Sequence, residues 1–92
     1  MSIPVKRVFI NIMKASNGVF FYVTIVNENG KSMTPYSSEH LDRAIHTADG
    51  YSYLFGLEPE KVLPSDHVSQ ETINKAYEEA EMMNFLNEKY KS

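Results

Sequence analysis

The chain has 92 residues, of which 42% are apolar and 23% charged, with a net charge of −3 and no cysteine. This is enough for one domain, 1–92, with a modest core, and the balance fits a folded soluble protein rather than a disordered one. It excludes disulfides, thiolate nucleophiles and cysteine-based zinc sites, and a pI near 5.5 is far from that of a typical free nucleic-acid binder.

Three strands come first. In Val5–Met13, Val8, Ile10 and Ile12 alternate with Arg7, Phe9 and Asn11, the period of a strand with one buried face. Ala15-Ser16-Asn17-Gly18 follows, and Asn17-Gly18 is a hairpin signal. Val19–Val26 is β-branched and aromatic, apolar on both faces except at Thr24. It reads as a central strand, covered on both sides or partnered at an interface. Asn27-Glu28-Asn29-Gly30 makes a second turn into a short strand, Lys31–Thr34, which Pro35 either ends or places at a sheet edge.

Two helices follow. Ser38 is the expected N-cap of the first, with Glu39 in its positive first turn. Leu41, Ala44, Ile45 and Ala48 have helical spacing. Gly50 either ends this helix or sits inside it; Ser52 and Phe55 stay near the stripe, which favours continuation to about Phe55 and a stop at Gly56. Leu57–Asp66 is a connector with Pro59 and Pro64 and room for one helical turn at Pro59–Leu63. The last helix opens at Ser69, with Val68 and Ile73 spaced as a hydrophobic staple. Its apolar stripe is Ile73, Ala76, Tyr77, Ala80, Met83, Leu86 and Tyr90, with Glu71, Glu78, Glu79, Glu81 and Glu88 mostly off it and Lys89 and Lys91 near its end. The expected fold is α+β: a three-stranded antiparallel sheet with two helices packed on one face, ordered βββαα.

No sequence pattern points to catalysis or to a cofactor. Asn29-Gly30-Lys31-Ser32 resembles the tail of a phosphate-binding loop, but Ile25 stands where that motif needs glycine and no helix follows. On a helix, His40 and Asp42 point about 200° apart, and His40 and His46 are six apart, the wrong spacing for one ion. His67 lies in the connector. The glutamates of the last helix read as a solvated face. An enzyme is therefore not expected, and neither is a small-molecule substrate. The longest apolar run, Val19–Val23, is too short to cross a bilayer, and the first residues lack a secretory signal pattern, so a cytoplasmic, cysteine-free setting is expected.

Charge is distributed unevenly. Residues 1–36 hold four cations, Lys6, Arg7, Lys14 and Lys31, against one acid, for +3; residues 37–92 hold five against eleven, for −6. The expected partner-binding set is therefore Lys6, Arg7, Lys14, Asn29 and Lys31 from the basic half. Tyr36, Tyr51 and Tyr53 complete it as a tyrosine cluster at the strand–helix junction, because tyrosine buries much area at low entropic cost. Basic, aromatic sheets also bind single-stranded nucleic acid, and the two-faced strand Val19–Val26 or the Met82/Phe85 shoulder offers a seam for self-association. Those are the alternatives to a protein partner.

The hairpin Val19-Phe20-Phe21-Tyr22-Val23-Thr24-Ile25-Val26-Asn27-Glu28-Asn29-Gly30-Lys31-Ser32 and the opening Ser37-Ser38-Glu39-His40-Leu41 give the chain a layout that resembles small phage-encoded anti-CRISPR proteins directed at the type I-F surveillance complex. The resemblance is architectural and carries no functional residue across. It implies a non-enzymatic inhibitor that docks on Cas subunits of a multi-subunit complex, touches the guide RNA backbone and blocks pairing with target DNA. A basic strand half and an acidic helical half suit such a composite surface.

Overall fold

A computed structural model describes residues 4–90, with side chains through Leu86. The expectations for the first three residues, for the side chains of Glu88, Lys89 and Tyr90, and for Lys91 lie outside the described residues. The chain is an α+β fold: β1 (Val5–Ala15), β2 (Gly18–Asn27), β3 (Ser32–Ser38), α1 (Leu41–Leu54) and α2 (Gln70–Tyr90). The sheet is antiparallel in the order β1-β2-β3.

Local chemistry accounts for the turns. Ala15 pairs with Gly18 across a two-residue loop, and Gly18 takes φ +138, a conformation costly for any residue with a Cβ. At the second turn, the Asn27 side-chain oxygen accepts the N–H groups of Asn29 (2.9 Å) and Lys31 (3.0 Å), the local bonding that favours asparagine in turns. β3 runs past Pro35 to Ser38 instead of ending at Thr34. Pro35 is tolerated because β3 is an edge strand and the ladder is irregular opposite Thr24.

α1 opens two residues later than the sequence suggests. Ser38 is still paired with Phe21 in the sheet. Its hydroxyl accepts the His40 N–H at 3.0 Å, and His40, extended and without a side-chain cap, precedes the helix. Glu39 consequently lies outside α1, and Asp42 is the acid of the first turn. Gly50 is internal, and the helix ends where expected. The N–H of Leu57 reaches the Ser52 carbonyl (2.8 Å) and that of Gly56 the Tyr53 carbonyl (3.2 Å), with Gly56 at φ +70. This pair of hydrogen bonds around a left-handed glycine is a common helix stop.

Residues 57–64 contain no helical turn, contrary to expectation. The segment is held instead by Val62, which is buried and whose N–H donates to the Tyr77 hydroxyl at 2.9 Å. Ser69 caps α2, accepting the Thr72 N–H at 3.3 Å, and both staple residues, Val68 and Ile73, are buried.

α1 lies against all three strands and α2, whereas the backbone of α2 approaches α1 alone. One core joins Val8, Phe21, Val23 and Ile25 of the sheet to Leu41, Ala44, Ile45 and Ala48 of α1 and Ile73, Ala76 and Ala80 of α2. The expected stripe of α2 stops being buried after Ala80: Met83 and Leu86 are exposed, as are Met82 and Phe85. α1 has 14 residues and α2 has 21. At 1.5 Å per residue they span about 21 and 32 Å, so α2 outruns the element it packs on. No described helix is long and apolar enough to cross a membrane.

Candidate functional site on the open face of the sheet

Strand pairing sorts side chains onto two faces. Val8 opposes Ile25, Ile10 opposes Val23 and Ile12 opposes Phe21; these point at α1, and the β2 members are buried. Arg7 opposes Val26, Phe9 opposes Thr24, Asn11 opposes Tyr22 and Met13 opposes Phe20. These form the other face. Phe9, Phe20, Tyr22 and Val26 are half-buried and stand outside the core cluster. Among the described residues, no helix packs on them.

The centre of this face is a short polar ladder. Asn11 donates its amide to Thr24 Oγ1 at 3.2 Å, and the hydroxyls of Thr24 and Thr34 are 3.4 Å apart. Thr24 is only 5% exposed, so the flanking side chains already shield it. Its hydrogen bonds are what make its burial tolerable. Around the ladder lie apolar and aromatic groups, and at one end the Arg7 guanidinium sits 4.1 Å above the Phe9 ring, a cation–π contact. Arg7 Nε also donates to both carboxylate oxygens of Glu60, at 3.0 and 2.8 Å. That hydrogen bond, helped by the charge of Glu60 and opposed by slight desolvation, raises the guanidinium's pKa. Arg7 and Glu60 remain 53% and 35% exposed, so the pair orients the arginine more than it stabilises the fold.

The residues singled out from the sequence are only partly brought together. Lys6, Arg7, Asn29 and Lys31 meet at one end of the sheet, where Val5 pairs with Asn27 and the Glu28 N–H reaches the Pro4 carbonyl. Lys14 pairs with Val19 at the other end. It lies seven residues from Arg7, roughly 23 Å along a strand. The tyrosines do not form one cluster. Tyr36 opposes Val23 and packs on the core. Tyr51 also packs on the core and stacks on Phe55 with ring centroids 6.3 Å apart. Tyr53, two residues on, is 88% exposed, because neighbours two apart on a helix point about 200° apart. Asn11, Thr24, Thr34 and Glu60 belong to the site and were not legible as such. The alternation in β1 marks the face of Asn11, but nothing in the sequence reveals the strand register or the path of residues 57–64.

A cleft of about 570 Å³ lies where the β1–β2 loop, the start of α1 and the first half of α2 meet. It gathers His40 and His67 with Asp42, Glu79 and Lys75, while His46 lines a separate small cleft with Tyr36, Arg43 and Met83. Among the described residues, no three His, Asp or Glu side chains are placed to hold a metal ion.

No known protein family, curated protein or solved structure matches this chain.

Proposed function

We propose that this protein is a non-enzymatic binding protein that inhibits a multi-subunit partner, acting through the open face of its sheet. The observation that carries this reading is that face itself: Phe9, Phe20, Tyr22 and Val26, half-buried and uncovered by any described helix, around the Asn11–Thr24–Thr34 ladder. Aromatic side chains on a rigid strand scaffold give contact area at low entropic cost, and the buried Thr24 hydroxyl keeps its partners Asn11 and Thr34 when the face is covered, which leaves the rest of the exposed Asn11 amide for the partner to bond. The architectural resemblance supplies the partner: Cas subunits of a type I-F surveillance complex in the bacterial cytoplasm. Lys6, Lys31 and Arg7 gather at one end of the sheet, where a guide RNA backbone is the complementary neighbour.

Adding the protein to purified type I-F complex tests the proposal in a target-DNA gel-shift assay. Co-elution with the complex and loss of DNA binding are expected, and Phe20→Ala combined with Tyr22→Ala should abolish both. Unimpaired target binding with no co-elution overturns it.

The Arg7–Phe9 stack on an open sheet also favours a second reading, a module for single-stranded nucleic acid. The Glu60 carboxylate on Arg7 and the net charge of −3 weigh against it. Titration of single-stranded RNA at rising salt separates the two, since phosphate binding weakens steeply with salt.

A further inference from the structure

The two edges of the sheet are guarded differently. β3 carries Pro35 and a register irregularity, two devices that keep a further strand from adding. β1 has 11 residues and no proline, and its own register irregularity is confined to its start, at Lys6 between Val5 and Arg7, so that it is regular from Arg7 to Ala15. Among the described residues, only β2 pairs with it. Its outer edge therefore presents unpaired backbone groups, the usual template for strand addition. Its side chains are also incompletely covered: Ile10 and Ile12 point at the core yet remain only half-buried, because no strand lies beyond them.

Charge decides what fits there. β1 contains Lys6, Arg7 and Lys14 and no acid. An antiparallel pairing of two copies centred on Ile10 sets each Lys6 opposite the other copy's Lys14, and an in-register parallel pairing sets each cation beside itself. Like charges directly opposite one another destabilise a ladder, so a second copy is disfavoured. Arg7 already holds Glu60. Lys6 and Lys14 are exposed and have no carboxylate partner among the described residues.

We infer that the β1 edge is a binding site for an extended segment of a partner protein that carries acidic residues at its two ends and apolar β-branched residues between them. The segment adds as a fourth strand. Its backbone pairs with β1, its apolar residues cover Ile10 and Ile12, and its carboxylates meet Lys6 and Lys14. The site names a second contact on the same kind of protein partner as the open face, and its test is independent of any Cas complex.

The test uses the purified chain and three synthetic peptides of about ten residues with a Thr-Val repeat. One has glutamates at both ends, one has lysines there, and one is the acidic peptide N-methylated at alternate backbone nitrogens. The acidic peptide should bind and perturb the amide resonances of β1. Lys14→Glu should weaken it about fivefold, the scale of exchanging one surface attraction for repulsion. The lysine-ended and N-methylated peptides should not bind. Equal binding of acidic and basic peptides, retained binding after N-methylation, or perturbation centred on β3 would overturn the inference. So would an acidic peptide that fails to bind at millimolar concentration. These results leave the open-face proposal standing, which is tested with the complex alone.

Discussion

The two faces of β2 are built from similar residues and have different fates. Phe21, Val23 and Ile25 on one face are buried beneath α1; Phe20, Tyr22 and Val26 on the other are half-covered. Residue type on β2 does not make this choice; its neighbours do. On β1 the core side offers Val8, Ile10 and Ile12, and the open side offers Arg7 and Asn11 among its apolar residues. A helix laid on the open face would have to desolvate a guanidinium and an amide, so α1 settles on the other. The open face is thereby left as an apolar surface with a built-in polar centre, a composition suited to meeting another protein.

The largest effects should separate the faces. Ile45→Ala or Ile73→Ala, each fully buried, should cost about 2–5 kcal/mol in urea unfolding. Phe20→Ala on the open face should cost about 1 kcal/mol or less, since half-exposed surface leaves little cavity behind. Comparable losses on both sides would show that the open face is structural. Next is Tyr77→Phe, which leaves the Val62 N–H without its acceptor and should cost about 1–2 kcal/mol by the same measurement. Glu60→Gln, beside the open face, should change stability by less than about 1 kcal/mol. It should instead free Arg7, seen as a stronger salt dependence of RNA binding.

The smallest effect has the opposite sign. Partial burial pushes the Asp49 carboxyl above its ordinary 3.8, with His46 pulling the other way. Between the unfolded and folded values the native state holds the extra proton, so this residue's contribution to stability falls as pH rises through that window. Ionised Asp49 is thus a slight liability at pH 7. Asp49→Asn should raise stability there by under about 0.5 kcal/mol after solvent screening, and the gain should vanish near pH 3. Thermal melts at the two pH values check it.

Much of the fold was legible in consecutive residues. Asn17-Gly18, Asn27 through Gly30, Gly56 and Ser69 mark the ends of elements by backbone chemistry that acts over two to four positions. The alternation in β1 and the Ile73–Ala80 stripe announce their buried faces in the same local way. The site was less legible. The basic residues could be counted, but only register shows that Lys6, Arg7 and Lys31 share an end of the sheet while Lys14 occupies the other. Tyr36, Tyr51 and Tyr53 look like a cluster only until the helix turns the last two apart.

The order βββαα, the turns, the core face of β1 and the concentration of cations before residue 37 follow from the residues alone, because propensity, capping and periodicity are properties of neighbouring residues. Long-range packing settles which face of β2 is covered, that α2 outruns α1 beyond Ala80, that Glu60 reaches Arg7, and that one edge of the sheet carries Pro35 while the other is a long, cationic strand regular from Arg7 to Ala15. Those outcomes depend on contacts between residues distant in the chain, where the gain from burying one surface is weighed against the desolvation of another.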